Sequence, residues 1–257
     1  VTGILVGDET VIRQHCADMN IPAETFRIVH EPVEQKAAAK AVELIHLGEA
    51  DILMKGLVST DKYMRAILDK EKGLVPPKGI LTHVTVMENA RYPKLIICSD
   101  VAIIPLPDLA QKAAMIGFMT QVASRLGIEK PKVAVVGASE QVLPKVPSSV
   151  EATVLAKMAE RGQIKGCVVD GPLSIDAALD PESAQIKKIG GEVAGQADCL
   201  LFPNIEAGNV FYKTNTKLAG AELGAIVAGA RCPAILSSRG DSALTKLYSI
   251  ALAALTA

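Results

Sequence analysis

The chain has 257 residues, 49% hydrophobic and 21% charged, with a formal net charge of -1, the profile of a globular protein of one large or two medium domains. Near-neutral charge without a long charge run excludes nucleic acid or an anionic membrane as the main partner and points to a small molecule. Five cysteines (Cys16, Cys98, Cys167, Cys199 and Cys232) stand singly without a C-x-x-C pair, which excludes a disulfide framework and reads as reduced, buried thiols of a cytoplasmic protein.

Short apolar runs alternate with longer amphipathic stretches, which predicts βα units and a mostly parallel sheet. "DILMK" at 51–55 reads as a strand, and "STDKYMRAILDK" after it as a helix capped by Ser59, Thr60 or Asp61. "HVTVME" and "KLIICSD" read as further strands, paired as a hairpin around "NARYP". Apolar residues at Leu109, Ala113, Ile116, Met119, Ala123 and Leu126 mark one helical face, and Gly127 ends that helix. The prolines at 105 and 107 in "IIPLPDL" place a boundary just before it. The second half reads as strand "KVAVVGAS", helix "SSVEATVLAKMAERG", strand "KGCVVDG", a helix around "ESAQIKKI", strand "DCLLFPN", a helix, strand "PAILSSRG" and a last helix with apolar face Leu244, Leu247, Tyr248, Ala251 and Leu255. No segment reaches 18 uninterrupted apolar residues, and "VTGILVGDET" lacks the regions of a signal peptide.

In such sheets ligands bind beyond the carboxyl ends of the strands. The junctions there are Gly137-Ala138-Ser139, Asp170-Gly171-Pro172, Pro203-Asn204 through Gly208-Asn209, and Ser237-Ser238-Arg239-Gly240, rich in small and hydrogen-bonding groups that also make ordinary turns. "SSRG" sets two hydroxyls, a guanidinium and a glycine before a helix N-terminus, whose unpaired N–H groups suit a phosphate or a developing oxyanion. Arg239 adds a planar fork for two phosphate oxygens, and Asp241 is expected to cap the helix; an anion site and plain capping both fit this turn. Arg239-Gly240-Asp241 as a cell-adhesion signal is set aside, because nothing directs the chain outside the cell. Dinucleotide, P-loop, zinc-protease and nucleophile-elbow motifs have no match here.

The element F-P-x-x-x-A-G-N-x-x-Y-K at Phe202 to Lys213, the small-residue helix expected after it and the S-R-G turn, with "MKGLVSTDKYMRAIL" and "GPLSIDAALDPE", resemble the phosphate acetyl/butyryltransferase family from about residue 50 to the C-terminus. "MKGLVST", "THVTVME" and "DSALTKLYSIALAAL" are more similar to the butyryltransferase branch. The resemblance implies an isocitrate/isopropylmalate dehydrogenase-like fold, with two three-layer α/β/α domains around a cleft. The first would comprise residues 1–104 plus 240–257 and the second 105–239, with a further segment ahead of Val1. It also implies a homodimer and the reaction acyl-CoA plus phosphate giving acyl phosphate plus CoA by direct attack, with no cofactor or metal, coenzyme A being a substrate.

By the same resemblance Ser238 and Arg239 match the family's substrate-binding and transition-state residues, and Asn209, Tyr212 and Lys213 match its A-G-N-x-x-Y-K element. Gly240, Asp241 and Thr245 complete the substrate loop. Thr245 departs from the pattern: acetyltransferases carry an aspartate there, proposed as the base, so no base carries over. Phosphate is available as a dianion near neutrality, and a dianion needs none. His83 in "LTHVTV" is read either as a proton donor to the departing thiolate or as a structural histidine. Two alternatives stay open, a phosphate acetyltransferase and a non-catalytic acyl-CoA or acyl-phosphate binding protein; Thr245 favours the latter, and Ser238 with Arg239 opposes it.

Overall fold

The computed structural model describes residues 1–237 and 240–257 of an α/β protein. At its start β1 (Ile4–Gly7) and β2 (Arg27–His30) form a parallel pair beside α1 (Glu9–Asp18) and α2 (Glu34–His46). The other strands are β3 (Leu53–Met54), β4 (Thr82–Glu88), β5 (Ile96–Ser99), β6 (Lys132–Val136), β7 (Val168–Leu173), β8 (Cys199–Leu201), β9 (Glu222–Ala228) and β10 (Ala234–Ile235). They join in one eight-stranded sheet of order β3-β10-β9-β4-β5-β8-β6-β7. The connecting helices are α3 (Thr60–Leu68), α4 (Leu109–Arg125), α5 (Pro147–Glu160), α6 (Ile175–Leu179), α7 (Pro181–Ile186), α8 (Ile205–Lys217) and α9 (Ala243–Thr256).

The period of two along the central strands divides the core between the sheet's faces. Ile97, Cys199 and Leu201 turn to one side, where Met115, Ile116 and Met119 of α4 cover them, all fully or almost fully buried. Cys98 and Leu200 turn to the other, against Leu173, Ala177 and Phe202. Helix starts follow side-chain chemistry: the Ser59 hydroxyl accepts the Lys62 N–H at α3, and Asp108 and Gln111 form a reciprocal capping box at α4. Gly127 closes α4 in the left-handed region at φ +88°.

Several expectations are corrected. Most strand pairings are parallel, as expected, but the large sheet is mixed: β9 pairs antiparallel with both β4 and β10, and β4 and β5 form the expected hairpin. The small-residue stretch expected as a helix after Lys213 is β9, which pairs with β4 from Glu222↔Glu88 to Ala228↔Thr82. A short run of Gly, Ala, Ile and Val has no period that separates helix from strand; position in the sheet decides. Gly224 lets α9 cross close to β9, since a Cβ there would meet the Tyr248 backbone at 2.7 Å. The helix expected around "ESAQIKKI" is present as α7, which Asp180 caps by accepting the Ser183 N–H, and the short α6, which was not expected, precedes it. Asp170-Gly171-Pro172 lie within β7 and not after it. The buried side of α9 is Ser249, Leu252 and Ala253, whereas Leu244, Leu247, Tyr248 and Leu255 of the expected apolar face are 39–58% exposed.

Candidate active site

The pairings orient β3, β10 and β4 one way and β9, β5, β8, β6 and β7 the other. The junctions after β6 and β8 therefore open at one end of the sheet and Ser237, after β10, at the opposite end. What draws the candidate residues together is α8, which starts beyond the carboxyl end of β8 and packs Phe211 and Tyr212 onto Met87 and Leu223 of β4 and β9.

Asp100, which follows β5 and is 2% exposed, organises this region. Its Oδ1 accepts the N–H groups of Ala102 at 2.7 Å and Ile103 at 2.9 Å. Its Oδ2 accepts the Thr82 hydroxyl at 2.9 Å and the His83 and Ile104 N–H groups at 3.2 Å each. A buried carboxylate with five donors is well satisfied, and here it ties the start of β4 to the turn after β5. The A-G-N element docks on that turn. A Cβ at Gly208 would collide with the Asp100 carbonyl oxygen, and the Asn209 amide donates to the Val101 carbonyl at 3.0 Å.

His83 is buried in β4, its Nδ1 3.2 Å from the Thr85 hydroxyl. Burial holds its pKa below the ordinary 6.5, while the charges of Asp100 and Asp241 work against that shift. Asp241 also acts on Tyr212, whose hydroxyl is pushed up to about 12, first by burial and then by that carboxylate. Tyr212 is therefore a neutral hydrogen-bond donor at physiological pH. The exposed Lys213 ammonium lies 4.9 Å from the Tyr212 ring centroid, a cation–π contact.

The cap of α9 is Ser242 rather than the expected Asp241: its hydroxyl accepts the Thr245 N–H at 3.0 Å and lies 3.0 Å from the Thr245 hydroxyl. Thr245 thus belongs to the first-turn cap, and Gly240 is exposed ahead of it. Ser238 and Arg239 lie outside the described residues. Asp241 is thus within electrostatic reach of both His83 and Tyr212, with Asn209 and Lys213 on the same helix as Tyr212 and Thr245 in the turn after Asp241. Sequence reasoning passed over Asp100, although an aspartate directly after the strand "IICS" was a visible signal. It also passed over Lys55, a 5% exposed lysine directly after β3. No group of three His, Cys, Asp or Glu suited to a metal ion occurs among the described residues.

The family described as "Phosphate acetyl/butaryl transferase" matches residues 7–254. A phosphate butyryltransferase of Clostridium acetobutylicum is 48% identical over 254 residues, covering 99% of this chain and 84% of the relative. A phosphate acetyltransferase of Thermotoga maritima is 43% identical over 254 residues, covering 99% of this chain and 86% of the relative. Among solved structures, a branched-chain phosphotransacylase from Enterococcus faecalis V583 superposes with a TM-score of 0.85 at 28% identity, covering 99% of this chain and 98% of that one.

Proposed function

The chain belongs to the phosphate acetyl/butaryl transferase family, and from that premise we propose that it moves a short acyl group, butyryl foremost, between coenzyme A and inorganic phosphate. The observation that carries this is the 48% identity to a phosphate butyryltransferase across 99% of the chain. Acetyl is the second reading, favoured by the 43% identical acetyltransferase. A phosphate oxygen attacks the thioester carbon, the C–O bond forms as the C–S bond breaks, and sulfur leaves with the electron pair as coenzyme A thiolate. The protein must hold phosphate against that carbon and place donors where the carbonyl oxygen gains charge.

In this reading Arg239 grips phosphate and the developing charge with the Ser238 hydroxyl and the Gly240 backbone beside it. Tyr212, neutral and partly buried, serves as a donor, and Lys213 supplies a surface cation for substrate phosphates. Asn209 sets the pitch of α8 through Val101. Thr245 holds the turn, no base being required for a phosphate dianion. His83 rests neutral within reach of the Asp241 field, a proton source only once protonated. The same reading includes a homodimer in the cytoplasm, two domains divided near residue 104 with residues 240–257 returning to the first, and no cofactor. No helix among the described residues is long and apolar enough to cross a membrane.

The test is thiol release on mixing the protein with butyryl-CoA and phosphate, in the presence and absence of EDTA. Release that depends on phosphate and survives chelation is expected. No release, or release lost in EDTA and restored by a divalent ion, overturns the reading.

A further inference from the structure

The stretch "MKGLVST" carries an arrangement that the reaction so far leaves unused. β3 and β10 run parallel with Met54 level with Ile235, and both end there. The Lys55 N–H donates to the Ile235 carbonyl at 3.0 Å, and the Ser237 hydroxyl donates back to the Lys55 carbonyl at 3.3 Å. The chain after β3 and the chain leading into Ser238 therefore leave the sheet side by side.

Lys55 is 5% exposed, and its ammonium donates to the carbonyls of Gly56 and Val58 at 3.1 Å each. A buried ammonium holds such acceptors firmly, because losing one would leave part of its charge unsolvated. Ser59 then caps α3 directly after the turn, fixing its far end. Between the two tied carbonyls stands Leu57, 72% exposed, although Leu53 on the same segment is 6% exposed. A lone exposed leucine means little. A leucine held outward by a preformed turn, two residues beyond the Lys55 carbonyl that the Ser237 hydroxyl contacts, is placed to cover an apolar group bound beside Ser237.

We infer that Leu57 is the acyl-chain contact that sets the preference for longer acyl groups, with Lys55 as the positioning residue that holds its turn. This rests on the reading of the chain as a phosphate acyltransferase. A butyryl group carries two methylenes more than acetyl, and covering them favours the longer substrate on the order of tenfold.

The experiment measures kcat/KM for butyryl-CoA and acetyl-CoA in the wild type, Leu57→Ala and Leu57→Met. The butyryl-to-acetyl ratio is expected to fall about fivefold in Leu57→Ala and to stay within about twofold of wild type in Leu57→Met, whose side chain has similar volume and apolarity. An unchanged ratio in Leu57→Ala overturns the inference while leaving the acyltransferase reading intact. A wild type that releases no coenzyme A from either substrate overturns that reading, and the inference with it.

Discussion

Ser242 accepts the Thr245 N–H while the neighbouring Asp241 directs its charge toward His83 and Tyr212, so two adjacent polar residues serve separate tasks. A serine cap can be removed at a cost of about 1 kcal/mol in stability. A preorganised guanidinium at a developing charge is worth far more in rate, on the order of a hundredfold in turnover. Ser242→Ala is therefore expected to lower unfolding stability by about 1 kcal/mol in urea titration, and Arg239→Ala to lower turnover about a hundredfold or more with an unchanged urea midpoint. Arg239→Ala with full turnover would remove that residue from the reaction. The choice of Asp241 as cap failed for a local reason: Asp and Ser are both good cap residues, and only the backbone geometry at 241–242 selects between them.

Helix α8 carries Asn209, Tyr212 and Lys213, and its seating depends on one atom pair. At Gly208 a Cβ would run into the Asp100 carbonyl oxygen, a backbone atom that the five donors around the Asp100 carboxylate keep from moving. Gly208→Ala is expected to lift α8, costing about 2–3 kcal/mol in stability and reducing turnover as Asn209 and Tyr212 shift with it. Gly117 in α4 is the control: nothing lies within 4 Å of a Cβ there, so Gly117→Ala is expected to stabilise by about 0.5–1 kcal/mol. Thermal unfolding of the two variants moving in the same direction would contradict this account.

For the whole molecule, the buried His83 in the middle of the large sheet couples stability to pH. Burial lowers its folded pKa below 6.5, partly offset by Asp100 and Asp241, while the unfolded chain keeps the ordinary value. Below about pH 6.5 the unfolded state then binds more protons than the folded one, so stability is greatest above that pH and declines as pH falls toward the depressed folded value. His83→Gln, which keeps a polar partner for the Thr85 hydroxyl, is expected to flatten the decline between about pH 6.5 and 5 in urea midpoints. An identical pH slope in the variant would assign that acid sensitivity to other groups.

By itself the sequence determined most of the elements and the family. Ser59, Asp108 and Gly127 mark helix ends through local hydrogen bonding and backbone freedom, and the hairpin of β4 and β5 follows from two short strand-like runs around "NARYP". These signals are local, so they survive without knowledge of the fold. Only the tertiary structure decided that "ELGAIVA" is a strand between β4 and β10, because a short run of small apolar residues takes its state from the strands that satisfy its backbone. The rotation of α9 was decided the same way. That helix is apolar nearly all round, and the close approach at Gly224 with the Ala225 N–H donated to the Ser249 hydroxyl turns Leu252 inward and Leu247 outward. Asp100, Lys55 and Leu57 became legible only where β3 met β10 and the start of β4 met the end of β5, since those contacts join residues far apart in the chain.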